Sequence, residues 1–257
     1  MGLIHQTNAG FVGDRGVNQS PSANPNITPS FYLPGDSYTD SIAGLTGTVN
    51  GNVSIVTDNP FGTASGRSFY FTGGNIEWAG NGAHAFASSP MSISFWMKWA
   101  GFGQNSYQTM VSRRDGNGTS YEIGLSSGSN VHDSKMFYYY DGSSVIQPWR
   151  TQPPKGSWVH VCFKVTTNNG QGRIFMNGIL VSSHTSQINN PTTNIELNLG
   201  GLGSTNQDFR GHICDFAVFR GFPDIFGGSR DSMFGPPSAP VAGENIVPPG
   251  VQQIQTI

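Results

Sequence analysis

Two carboxyl groups held across a glycosidic bond would make a hydrolase, at ~5–5.5 Å for retention or ~6.5–9.5 Å for inversion. The chain has four glutamates, Glu77, Glu122, Glu196 and Glu244, widely spaced and in no Glu-x-Asp-x-Glu pattern that would set them on one strand face. They read as strand-edge or rim residues, and no enzyme is expected. The six histidines (His5, His84, His132, His160, His184, His212) show no zinc-ligand spacing. His160 alternates with Cys162, and His212 with Cys214, so a cluster assembled by the fold is the weaker reading against ordinary strand residues. No Gly-x-Ser-x-Gly elbow is present for a serine nucleophile. Calcium oxygens are available at Asp36 and Asp40, at Asp115 with Asn117, and at Asp215. Turn chemistry explains the same residues, because Asp and Asn accept bonds from nearby backbone, so calcium is possible and no cofactor is predicted.

Aromatic residues are the better lead. In Lys135-Met-Phe-Tyr-Tyr-Tyr140, alternation sets Met136, Tyr138 and Tyr140 on one face and Phe137 and Tyr139 on the other. Rings bring a large contact area with few rotors to freeze, which suits them to sugars and protein interfaces.

These residues need elements to position them. Short aromatic and β-branched runs recur between Gly, Asn and Ser clusters: Val53-Ile55, Ser68-Phe71, Asn75-Trp78, Met91-Trp99, Thr109-Arg113, Tyr121-Leu125, Lys135-Tyr140, Trp158-Val165, Gly172-Met176, Ile179-Ser183, Asn194-Leu199 and His212-Arg220. About a dozen strands without an amphipathic helix predict an all-β sandwich or barrel. Within Met91-Trp99, alternation puts Ile93, Phe95, Met97 and Trp99 on one face. The sharpest local signal is Asn177-Gly178 between Arg173-Met176 and Ile179-Val181, a two-residue hairpin needing positive φ at both central residues.

Composition narrows the function classes. Only 11% of the 257 residues are charged, against a usual ~25%. A formal net charge of −2 and the lack of any Lys/Arg cluster argue against nucleic acid. No stretch approaches the ~20 apolar residues of a membrane-spanning helix. The opening residues, MGLIHQTNAGF, lack the charged start and apolar core of a signal peptide, so synthesis in a cytoplasm is expected. Cys162 and Cys214 sit in strand-like runs and read as two buried, reduced thiols. Residues 1–28 form a polar, aperiodic N-terminal arm, and 223–257 a C-terminal arm with Pro236-Pro237 and Pro248-Pro249.

The order of the runs resembles laminin-G-like, concanavalin A-like jelly-roll domains. The matching residues are FYLPGDSYTDSIAGLTGTVNGNV, GRSFYFTGG with NIEWAG, MSISFWMKW, TMVSRRDGNGTSYEIGL, KMFYYYDG, GSWVHVCFKV with GRIFMNGILV, IELNLGG and FRGHICDFAVFR. The resemblance implies a two-sheet antiparallel sandwich over residues 29–222 with a concave face that binds glycans or proteins, sometimes with calcium. It places Met136, Tyr138 and Tyr140 in the core and leaves Phe137 and Tyr139 on the concave face, bordered by Trp149. These three are the expected ligand residues, the alternative being that the rings pack against the arms. Thr72 stands where many relatives carry Asp before Gly73, which weakens a calcium role at that turn.

Two functions follow as expectations. One is a non-catalytic virion structural protein of a bacteriophage, a capsid decoration or tail or fibre subunit. Its arms would clamp copies of itself or other virion proteins through added strands. The other is a stand-alone carbohydrate-binding module.

Overall fold

The computed structural model describes residues 28–85, 90–101, 107–115, 118–126, 136–140, 145–146, 153–166, 172–183, 195–202 and 207–241. They form β1 (Pro29–Leu33), β2 (Thr48–Val56), β3 (Ser68–Trp78), β4 (Met91–Trp99), β5 (Tyr107–Asp115), β6 (Gly118–Ser126), β7 (Met136–Tyr140), β8 (Val145–Ile146), β9 (Trp158–Val165), β10 (Gly172–Met176), β11 (Ile179–Ser183), β12 (Leu197–Leu199) and β13 (Gly211–Arg220). The ladders between these strands are all antiparallel.

The first sheet runs β1-β13-β4-β9-β10-β11 and the second β2-β3-β12-β5-β6-β7-β8. They share an edge where Gly211, His212 and Ile213 of β13 pair with Phe71, Tyr70 and Phe69 of β3. Beyond that edge, Asp215 adopts φ 52° at a break in register, and β13 then pairs with β1 through Phe216–Phe219. One bulged residue therefore moves β13 from the second sheet to the first, which lets one chain path fold over into a jelly-roll sandwich.

Alternation along the strands fills the space between the sheets. Ile93, Phe95, Met97 and Trp99 of β4 are all buried there, as expected, with Val161 and Phe163 of β9. The second sheet answers with Phe69, Phe71, Ile76, Trp78, Ile123 and Leu125. Phe31 sets its ring edge-on to Trp78 and Phe216, at 5.5 and 6.0 Å, tying β1 into this core. The expected hairpin is present: Asn177 and Gly178 have φ 50° and 77° between Met176 and Ile179.

A second, smaller apolar cluster lies on the outer face of the first sheet. Tyr32, Cys162, Phe175, Ala217 and Phe219 project there and are covered by Phe226, Phe234 and Val241. The segment 223–241 that carries these covering residues is a strap across the sheet. Lys164 stands beneath it, fully buried, with Nζ donating to the carbonyls of Phe226, Ser229 and Ser232. The same ammonium sits 4.5 Å from the Phe175 ring and 4.9 Å from the Phe234 ring. At the strap's far end, Asp215 Oδ1 accepts from Val241 N–H (2.8 Å) and from the Tyr32 hydroxyl (2.7 Å). Residues 1–27 and 242–257 lie outside the described residues.

Candidate functional site

On the second sheet, the register aligns one residue from each of several strands. Glu77 of β3 stands opposite Asn198 of β12, Asn198 opposite Ser112 of β5, Ser112 opposite Glu122 of β6, and Glu122 opposite Tyr140 of β7. Directly opposed residues share a face. The flanking pairs Ile76, Leu199, Val111 and Ile123 are in the core, so this row points outward.

The row is polar yet enclosed. Asn75, Thr109, Ser112, Glu122 and Asn198 are all buried. Asn75 Nδ2 donates to Asn198 Oδ1 at 2.6 Å, and Thr109 Oγ1 to Glu122 Oε1 at 2.7 Å. Ser112 is 0% exposed and its Oγ has no hydrogen-bond partner among the described residues. A buried hydroxyl left unpaired costs ~1–3 kcal/mol, so this is a donor and acceptor held ready at the centre of the row.

Carboxylates crowd the same face. Glu196 lies two residues before Asn198, just ahead of β12, and is near enough to Glu77 for its charge to act there. Burial raises the Glu77 carboxyl above its ordinary range, and the charge of Glu196 raises it further. Asp208 is also raised by burial, against the opposing pull of Arg210. Gly201 makes room for it, since a Cβ there would stand 2.8 Å from Asp208 Oδ1 and 3.3 Å from Asn75 Cβ.

Sequence spacing suggested that the glutamates stay apart; the fold instead brings Glu77 and Glu196 near enough for their charges to interact. Glu122 remains distant, because β12 and β5 separate it from Glu77. Three inter-strand steps are about 14 Å, beyond the span of a glycosidase pair.

Phe137 and Tyr139 occupy β7, whose side chains, like all of Trp149, lie outside the described residues. The backbone register sets position 137 opposite Leu125 and position 139 opposite Ile123, both core residues. Positions 136, 138 and 140 instead stand opposite Ser126, Gly124 and Glu122, in the outward row. This is the reverse of the expected division of the strand. Alternation separates two faces but does not say which is inside; the neighbour β6 decides that.

Of the calcium candidates, Asp40 and Asp215 serve the fold, while the Asp115 side chain and Asn117 lie outside the described residues. Asp40 caps a turn, its carboxylate accepting from the backbone of Tyr32, Ile42 and Ala43 at 2.5, 3.2 and 2.5 Å. Asp215 holds the strap. Among the described residues no group of three or more His, Cys, Asp or Glu is placed to hold a metal. His160 Nε2 lies 2.8 Å from Ser94 Oγ, but its Nδ1 has no partner among the described residues to orient it, and burial lowers its pKa to about 3. The ring packs against Trp96, Phe226 and Phe234 at 5.4, 5.7 and 5.8 Å, beneath the strap. Cys162 and Cys214 are free and buried.

Elsewhere on the first sheet's outer face, Asp58 accepts from Lys98 Nζ (2.7 Å) and Trp158 Nε1 (3.0 Å). The ring of Phe61, from the same loop, lies edge-on to Trp96 at 6.0 Å. Together with the strap, this loop covers much of that face. The polar row of the second sheet is the arrangement that sequence reading missed. Its only trace is a polar residue at alternate positions in strands far apart in the chain.

A comparison with curated protein sequences finds no match. Among solved structures, domain 4 of AbnA, a GH43 extracellular arabinanase from Geobacillus stearothermophilus solved with arabinotriose, is similar at TM-score 0.56 and 19% identity, over 76% of this chain and 93% of that one. The binding domain of Paraclostridial Mosquitocidal Protein 1 is similar at TM-score 0.54 and 16% identity, over 75% of this chain. The receptor binding domain of botulinum neurotoxin D gives TM-score 0.51 and 15% identity, over 76% of this chain. The chain spans about half the length of these last two, 49% and 50%. At such identities the likeness is one of fold. The family model described as the concanavalin A-like lectin/glucanases superfamily matches residues 71–222, more than half of the sequence, and the chain belongs to that superfamily.

Proposed function

We propose that the protein is a non-catalytic binding domain that takes a glycan across the outer row of its second sheet. The observation that carries this reading is the enclosed polar row itself, with Ser112 Oγ, between Asn198 and Glu122, unpartnered among the described residues. Sugar hydroxyls are both donors and acceptors, and a rigid line of amide, hydroxyl and carboxylate groups matches them. The first sheet supports the reading by default, since the strap and the Asp58 loop lie over its outer face. Structural neighbours that are a sugar-complexed arabinanase domain and toxin binding domains are consistent with it. The rings of β7, which borders the row, and Trp149 are the proposed stacking partners.

The setting we propose is a bacteriophage virion, with the domain made in the host cytoplasm and displayed as a decoration, tail or fibre subunit. Residues 1–27 and 242–257 would join it to virion proteins or to copies of itself. Support for this comes from the composition of those arms and the low charge of the chain. A glycan array with the full chain tests the binding reading. Ser112→Ala and Asn198→Ala should each lower affinity about tenfold, a cost typical of one lost buried bond. Comparing Phe137→Ala and Tyr139→Ala with Tyr138→Ala and Tyr140→Ala shows which rings stack. Hydrolysis of a bound oligosaccharide, abolished by Glu77→Gln, would overturn the non-catalytic reading in favour of a Glu77–Glu196 pair. Particles that incorporate the protein normally after both arms are deleted would overturn the virion reading.

A further inference from the structure

The acidity of the row bears on which sugars it accepts. Asn198 is its centre: Glu77 faces it from β3, Ser112 faces it from β5, and Glu196 lies two residues before it, just ahead of β12. Burial, and then the charge of Glu196, make the Glu77 carboxyl costlier to ionise, which is why it is raised above its ordinary range. No cation opposes that shift among the described residues; Arg210 acts on Asp208 instead. Glu122 adds a third carboxylate at the other end of the row. Ser112, fully buried and unpartnered among the described residues, supplies the independent sign that a polar ligand group belongs there.

Resting on the glycan-binding reading above, we propose that the row selects glycans with free amino groups, 2-amino-2-deoxy sugars, and rejects sialylated, sulfated or uronate-bearing ones. An ammonium between Glu77 and Glu196 supplies the counter-charge that these two carboxylates lack among the described residues, while its neighbouring hydroxyls meet Ser112 and Asn198. An N-acetylated or neutral sugar keeps the hydroxyl contacts and forfeits the charge pairing. An acidic sugar adds a like charge to a partly enclosed face, where repulsion is poorly screened.

The test is calorimetric titration of the full chain at about pH 6 and again near pH 7, because Glu77 is raised above the range in which an ordinary glutamate ionises. The probes are a chitosan tetramer, its fully N-acetylated counterpart and a sialylated oligosaccharide. The chitosan tetramer should bind at least tenfold more tightly than the N-acetylated one. That margin should shrink severalfold between about 50 and 300 mM salt, as expected of a charge contact partly open to solvent. Glu77→Gln/Glu196→Gln should erase the margin between the two tetramers, whatever it does to the affinity for the N-acetylated one. Equal affinity for both tetramers, a salt-independent margin or binding of the sialylated probe would overturn this inference and leave the glycan-binding reading standing. Absence of binding to every sugar, on the array as well, would overturn the glycan-binding reading itself. If the double variant does not fold, the wild-type salt series decides alone.

Discussion

Gly178→Ala perturbs two structures at once, because this glycine is both the second residue of the hairpin turn and the surface on which the strap rests. A Cβ at this position would overlap the carbonyl of Phe234, whose own N–H donates to Gly178 O at 3.2 Å. At φ 77°, alanine costs ~1–2 kcal/mol in any surroundings. The overlap must be relieved by lifting the strap, which loses that hydrogen bond (~1 kcal/mol) and part of the burial of the Phe234 ring (~2 kcal/mol). Opening of the strap should therefore become easier by about 3 kcal/mol, roughly a hundredfold in population. Arg230 lies within the strap and provides the readout, since trypsin cleaves after arginine. Cleavage of a segment that opens and closes quickly follows its open population, so the rate at Arg230 should rise by one to two orders of magnitude. Gly44→Ala is the control. Its φ is 69°, but a Cβ there meets nothing within 4 Å, so it carries only the conformational cost. If Gly178→Ala and Gly44→Ala give the same melting temperature and the same Arg230 cleavage rate, the strap does not rest on the hairpin as described.

Lys164→Met removes the donor shared by the Phe226, Ser229 and Ser232 carbonyls, and should cost about 2–4 kcal/mol in urea unfolding while also speeding cleavage at Arg230. Burial lowers His160 to about 3 and His84 to about 4, the latter also by the Arg113 charge, so the unfolded chain binds two more protons between about pH 4 and 6.5 and stability rises with pH there. Burial raises Asp215 to about 7, so the native state holds one proton more between about pH 4 and 7 and opposes that rise. The net slope from these three groups is one proton, ~1.4 kcal/mol per pH unit, with a maximum near pH 6.5 and a fall to pH 7; urea midpoints across this range measure it. Asp215→Asn, tolerated at positive φ, should steepen the acid slope and remove the fall above pH 6.5; a profile that does not change would refute the assignment. Burial pushes the Cys162 thiol up to about 12 and Cys214 well above its ordinary value, so neither should react with a thiol reagent near pH 8 until the chain unfolds.

Strands with a complete local signature were legible. Met91–Trp99, Trp158–Val165, Gly172–Met176 and Ile179–Ser183 have the bounds that alternation and Asn177-Gly178 predict. Residues 68–78 looked like two runs interrupted at Thr72-Gly73-Gly74, and form one strand. The glycines there do not turn the chain. A Cβ on Gly74 would strike the carbonyl of Asn50 on β2, so they let two strands come close. The strap was unreadable as structure because Phe226, Phe234 and Val241 follow no period. Their partners, Lys164 and Phe175, belong to a surface that only the folded sheet creates. The polar row was hidden for a similar reason, since Glu77, Ser112, Glu122 and Asn198 meet only through the strand order β3-β12-β5-β6.

Lys164 also makes the seating of the strap depend on polar as well as apolar contacts. An apolar residue in its place would leave the three strap carbonyls without their donor and would leave a wholly apolar sheet face whenever the strap lifted. A lysine behaves in the opposite way. Its ammonium is desolvated under the strap, which lowers its pKa to about 8, and it regains water when the strap leaves. All three of its hydrogen bonds go to strap carbonyls, so it contributes to cohesion only while the strap is seated. With the strap off, a full charge stands among Phe175, Phe219 and Cys162 and opposes strand-on-strand association of that face. The strap's last described residue, Val241, is tethered by a single backbone bond to Asp215, and residues 242–257 follow it in the chain.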